Sequence, residues 1–78
     1  MMLTYDLRHD LAYLRLGTPG THVETVRMSD DVNVDVASDG TVYGIELLHA
    51  TAQLRGDDDG LLVVVDEARG ERRTLTLE

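Results

Sequence analysis

Residues 31–48 carry the period that most restricts the fold. Val32, Val34 and Val36 alternate with Asp31, Asn33 and Asp35. In a strand this sends the valines to one face and the polar residues to the other. Asp39-Gly40 then supplies a turn, because glycine tolerates positive φ and an aspartate can accept a hydrogen bond from nearby backbone. Past the turn, Thr41, Tyr43, Ile45 and Leu47 are expected on one face, with Val42, Gly44 and Glu46 on the other. The stretch reads as a β-hairpin around which the rest is arranged.

Leu3 and Tyr5 alternate with Met2, Thr4 and Asp6, predicting a first strand over residues 2–6. A second, over 11–16, is apolar on both faces and suits a sheet interior. Gly17-Thr18-Pro19-Gly20 is the strongest loop signal and holds the only proline. A third strand is expected over 22–28. Between His49 and Arg55, good or neutral helix formers predict a short helix stopped by Gly56, with Ala50 and Leu54 turned to the sheet. Asp57-Asp58-Asp59-Gly60 reads as a solvated turn. Five consecutive aliphatic residues then open a strand over 61–67. Ala68-Arg69-Gly70-Glu71 closes a second hairpin with residues 72–78. The expected fold is one mainly β domain, borderline α+β, over residues 1–78. It is an antiparallel meander of six to seven short strands with one helix near 49–55, and a small sandwich and an open barrel both fit.

A chain of 78 residues buries only about 60–65 % of its unfolded surface, so an isolated copy has little core to rely on. There is no Cys, Phe or Trp. Disulfide staples and thiolate metal sites are excluded, and the core must come from aliphatic residues and tyrosines. Leu62, Val64, Leu75 and Leu77 give the second hairpin an apolar face that needs a cover. Its own sheet could provide one; so could a second copy, and a homodimer is the expected assembly.

Fifteen acidic residues against seven basic ones, all arginine, give a formal charge of −8. Such a surface repels phosphate backbones, so nucleic acid is not an expected partner, whereas a small basic protein is a compatible one. Arg69, Arg72 and Arg73 form a local basic group, which Glu67 and Glu71 offset. An acid-rich, lysine-free composition is equally what a GC-rich or salt-adapted genome would produce. No apolar run approaches the ~20 residues of a membrane span, and Asp6 and Asp10 stand where a signal peptide would be basic. The cytoplasm is the expected compartment.

The chemistry available is sparse. His9, His22 and His49 are the candidate neutral-pH bases. A hydrolytic triad would need Ser29 or Ser38, and neither has a nucleophile-elbow context. Asp31, Asn33 and Asp35 share the first spacings of a calcium loop. Val36 stands at its glycine position, however, and Val42 at its glutamate position. Alternating acids on a strand are otherwise its wet face. Gly17-Thr18-Pro19-Gly20 lacks the lysine and helix of a phosphate loop. No catalytic residue, metal ligand or cofactor is assigned.

The chain resembles the DUF2283 proteins over about residues 2–54. Met2-Leu3-Thr4-Tyr5-Asp6 followed by Asp10-Leu11-Ala12-Tyr13-Leu14-Arg15-Leu16 is similar to that family's opening pair of strands. Val32-Asn33-Val34-Asp35 resembles its Val-x-Val-Asp strand, and residues 39–48 resemble its Asp-Gly-x-Val-x-Gly-Ile-Glu-Ile-Leu signature. His49-Ala50 stands where the family commonly has Asp-Ala. The resemblance implies a small domain of uncharacterised function and leaves the hairpin over 61–78 outside the pattern. Because some such proteins neighbour toxin-like genes, it also implies an antitoxin-like reading, in which an acidic subunit neutralises a basic toxin.

The pattern's residues have structural uses. Tyr5 and Tyr13, on adjacent strands, suit packing across the sheet. Gly44 marks a bulge or a place where a ring such as that of Tyr13 crosses the backbone. Glu46 is an acid in an apolar arm and would be either a solvated or paired residue or a specificity contact. The candidate interface residues are therefore Tyr5, Tyr13, Glu46, Leu62, Val64, Leu75 and Leu77. The expected function is that of a noncatalytic β-domain acting through homo-oligomerisation or protein binding. An antitoxin-like subunit and a small metal-binding or enzymatic module are the alternatives.

Overall fold

The computed structural model describes residues 1–56 and 60–77. Its elements follow the alternation of the sequence closely. They are β1 (Met2–Asp6), β2 (Leu11–Arg15), β3 (Val23–Arg27), β4 (Val32–Ala37), β5 (Val42–Leu48), α1 (Ala50–Arg55), β6 (Leu61–Asp66) and β7 (Glu71–Thr76). The fold is mainly β and antiparallel. Five strands form one sheet in the order β1-β2-β5-β4-β3, and β6-β7 form a separate two-stranded hairpin. The acidic turn at Asp57, Asp58 and Asp59 lies outside the described residues.

The order departs from a simple meander at one place. β2 pairs with β5 instead of β3, so β2 to β5 form a Greek key. The physical reason is the connection between β2 and β3. Residues 16–22 with Gly17, Pro19 and Gly20 are too long and too irregular for a tight hairpin, and long enough to cross the ends of two strands. The other connections within the sheet are short. β1 and β3 remain as free edges, so the sheet is open.

Register defines two faces. Leu3 opposes Leu14, Leu14 opposes Ile45 and Ala12 opposes Leu47, and Val34 lies between Val26 and Ile45. This face is aliphatic. The other carries Tyr13, Glu46 and Asn33 in one cross-strand row, and Arg15, Gly44, Asp35 and Thr25 in the next. A bulge corrects the predicted second arm of the 31–48 hairpin. Asp35 pairs with Gly44 but Val36 pairs with Val42, leaving Tyr43 as the extra residue. Val42 therefore joins the valine face. The bulge is held by the Tyr43 carbonyl, which accepts the N–H groups of Leu16 and Gly17 at 2.7 and 2.9 Å.

The turn at Asp39-Gly40 forms as its residues require. Gly40 has φ +89°, its N–H donates to Ala37 O, and Asp39 accepts the Thr41 N–H at 2.9 Å. α1 starts at His49, which has a left-handed backbone with φ 53°. Histidine, like asparagine and aspartate, is enriched in that region. Ala50, with no exposed surface, is the anchor of the helix.

The core is very small for so much regular structure. Among the described residues Ala12 and Ala50 are the buried apolar ones, and no large side chain is fully buried. The accessible surface is 5951 Å², whereas a compact chain of 8.6 kDa would expose about 4,700 Å². The radius of gyration of 14.0 Å likewise exceeds the ~11.5 Å of a compact domain of this length.

Candidate functional site

The aliphatic face of the sheet looks across at the β6-β7 hairpin. Leu3, Leu14, Ile45 and Leu47 form one wall of a groove of about 620 Å³, and Leu62 and Val64 belong to the other. Leu54 of α1 and Leu77 close its sides. Among the described residues no Asp, Glu, Lys, Arg or His lines it, although charged residues make up 28 % of the chain. The hairpin makes only marginal contact with the strands of the sheet. It is attached near Gly60, whose carbonyl accepts the Leu77 N–H at 2.9 Å. Leu62, Val64 and Leu75 are 42, 50 and 57 % exposed.

The predicted interface residues divide between three places. Leu62, Val64 and Leu77 line the groove, and Leu75 lies opposite Leu62 on the same face of the hairpin. Tyr5 sits on the aliphatic face of β1, and its hydroxyl is 2.8 Å from Thr51 Oγ1 of α1. Tyr13 and Glu46 are on the opposite face of the sheet.

That opposite face is a bonded polar surface. Asp35 is its hub, accepting from the Tyr13 hydroxyl at 2.5 Å and from the Thr25 hydroxyl at 2.6 Å. Burial, and then the Asp35 carboxylate, push the Tyr13 phenol well above its ordinary value of 10.0. Glu46 accepts from Asn33 Nδ2 at 3.0 Å. Arg15 Nε is buried there without a protein partner. Local alternation makes Asn33 and Asp35 a wet face; their partners follow only from the β2-β5-β4-β3 order.

His9 and His49 sit in separate carboxylate pairs, and His22 lies apart from both, just before β3. His9 Nδ1 lies 2.7 Å from Asp6 Oδ2, and His49 Nδ1 lies 2.8 Å from Asp31 Oδ1. Neither Ser29 nor Ser38 bonds to a histidine. Among the described residues no three His, Asp or Glu are grouped as a metal would require, and no helix is long and apolar enough to cross a membrane. Asp6 accepts the Arg8 and His9 N–H groups, as a cap of the β1–β2 link should. Asp10 does something the sequence did not reveal. Its carboxylate accepts the Thr51 N–H at 2.7 Å and its carbonyl accepts that of Ala50 at 2.9 Å, so the β1–β2 link caps a helix 40 residues away. Arg69 lies 3.9 Å from Glu71, and Arg72 and Arg73 alternate across β7, so the three arginines form no common patch.

The profile of a family described as a protein of unknown function, DUF2283, matches residues 2–50. The chain belongs to the DUF2283 family. The matched span holds β1 to β5 and ends on Ala50, the buried first residue of α1. The sheet wall of the groove is thus DUF2283 sequence, and the hairpin wall lies beyond it. Comparisons with curated proteins and with solved structures found no match.

Proposed function

We propose that this DUF2283 chain is a noncatalytic β-domain that works as an assembly unit, and that two copies join through the groove. The observation that carries this is the surplus of exposed surface. The difference between 5951 Å² and a compact chain is about 1,250 Å². A standard interface removes about 800 Å² from each partner. The excess is therefore of the size a stable dimer consumes, and Leu62, Val64 and Leu75 of the hairpin are among the exposed aliphatic side chains.

Charge favours a second copy over a basic partner. A basic partner calls for carboxylates gathered on the docking surface, whereas the described residues lining the groove carry no charge. Asp35 and Glu46, the acids central to the opposite face, already accept hydrogen bonds from within the sheet. Two chains of formal charge −8 repel at long range, so they must meet on a neutral surface. The groove is one.

The test is the mass in solution, by light scattering or sedimentation equilibrium. The expected particle has twice the 8.6 kDa of the chain. A particle of one chain at every concentration sinks the proposal.

A further inference from the structure

Resting on that dimer, we infer that the element entering each groove is the β6-β7 hairpin of the other copy, exchanged reciprocally about a two-fold axis. The resulting order is sheet, partner hairpin, own hairpin, partner sheet.

Three observations lead there. The first is that the hairpin carries aliphatic side chains on both faces. Leu62 and Val64 line the groove and share their face with Leu75, while Leu61, Val63 and Val65 alternate with them, Leu61 reaching the groove from the base of the hairpin. A two-stranded hairpin is marginal by itself in water, and this one makes only marginal contact with its own sheet. A strand aliphatic on both faces, as β6 is over Leu61 to Val65, is satisfied between two apolar walls, which the groove supplies.

The second is symmetry. A two-fold interface is self-complementary, so whatever fills one groove must leave the other filled in the same way. In the proposed order, the groove-side face of one hairpin meets the same face of its partner. The outer face, with Val65 at 52 % exposure, meets the partner's sheet. Both hairpin faces and the aliphatic sheet face of each copy are covered with no element left over. Pairing the free edges of β1 or β3 would leave the groove and Val65 in water.

The third is the connection. The hairpin is joined to α1 through residues 56–60, beyond the span matched by the family, and Gly60 has φ +82°. A β-carbon there would meet Leu77 O at 3.0 Å, so the chain turns sharply into β6 at a glycine-dependent point. This turn holds the hairpin across the groove from its own sheet, and those two walls are the ones between which the partner's hairpin enters.

The absence of cysteine makes the arrangement directly readable. One preparation carries Val65→Cys on the outer hairpin face, and a second carries Ile45→Cys on the sheet. The two are mixed, allowed to exchange, and treated with a short thiol-to-thiol cross-linker. The expected product is a covalent pair containing one chain of each kind. Thr4→Cys, on the opposite face of the sheet, replaces Ile45→Cys as the control and should give none. Mass measurement on the uncross-linked mixture separates the possible failures. A dimer without the Val65–Ile45 product overturns hairpin exchange and leaves the dimer standing; a monomer overturns both. Should Ile45→Cys fail to fold, isotope-filtered NOEs between labelled and unlabelled wild-type copies read the same proximity. Their absence between Val65 and Ile45 methyl groups in a dimer is equally decisive against the exchange.

Discussion

The Tyr13 ring lies directly over Gly44, so that a β-carbon at Gly44 would stand 2.5 Å from the phenol Cζ and 2.7 Å from Cε1. Gly44 is buried and paired with Arg15 and Asp35, so neither backbone can move aside. Gly44→Ala should destabilise the fold by about 1–3 kcal/mol, the usual cost of overpacking. In a Tyr13→Ala background the same change should cost almost nothing. Urea unfolding of the four chains in a double-mutant cycle measures this coupling. Equal costs in both backgrounds would mean that the ring is not what demands glycine.

The same tyrosine gives an alkaline signature. Burial is the first cause of its raised pKa and the Asp35 carboxylate the second. Asp35→Asn should therefore lower the Tyr13 pKa towards 10.0 without reaching it, as read from phenolate absorbance. A folded pKa above the unfolded one contributes stability that is complete below 10.0 and is lost as pH rises through the folded value. The wild type should lose stability with rising alkalinity more steeply than Asp35→Asn. Identical titrations would remove Asp35 from the account.

What could be read from the sequence followed how local each signal is. Alternation, with an unbroken aliphatic run for β6, places all seven strands close to their observed bounds, because both signals need only a few neighbouring residues. Gly56 and Ala50 likewise marked α1, and Gly44 marked the ring crossing. The β2–β5 pairing was hidden, since it depends on where residues 16–22 lead the chain. The bulge at Tyr43 was hidden too; one extra residue moves Val42 to the other face without changing any local preference. Asp10 and Thr51 are separated by the whole Greek key, and Glu46 meets Asn33 only in the folded register. The apolar faces of the groove were visible as residue types, but their separation across open space was not.

Asp10 should make stability sensitive to acid. Thr51, through its side chain first and its N–H second, holds the Asp10 carboxyl below 3.8. A depressed folded pKa gives stability that is present above the unfolded value of 3.8 and lost as pH falls through the lowered one. Asp10→Asn keeps an acceptor oxygen for the helix and removes the titration. The wild type should melt higher than Asp10→Asn near neutral pH, with the two melting curves converging as pH drops below 3.8. Melting temperatures followed by circular dichroism across that range decide the matter. A constant difference at all pH values would show that charge at Asp10 contributes nothing.

Leu62 separates the isolated chain from the assembled one. On a single copy it is 42 % exposed, and a polar substitution on such a surface usually changes stability by no more than about 0.5 kcal/mol. In the proposed dimer Leu62 is sealed between two hairpins, where an unpaired carboxylate costs several kcal/mol or more. Leu62→Glu should accordingly abolish the dimer by sedimentation while Thr4→Glu, on the opposite face, leaves it intact. Because the core is so small, the released Leu62→Glu chain should also melt well below the wild type at equal concentration. Wild-type melting should itself rise with protein concentration, as expected when folding and association are linked. If Leu62→Glu keeps both the mass and the melting temperature of the wild type, the groove is a solvent surface and the assembly lies elsewhere.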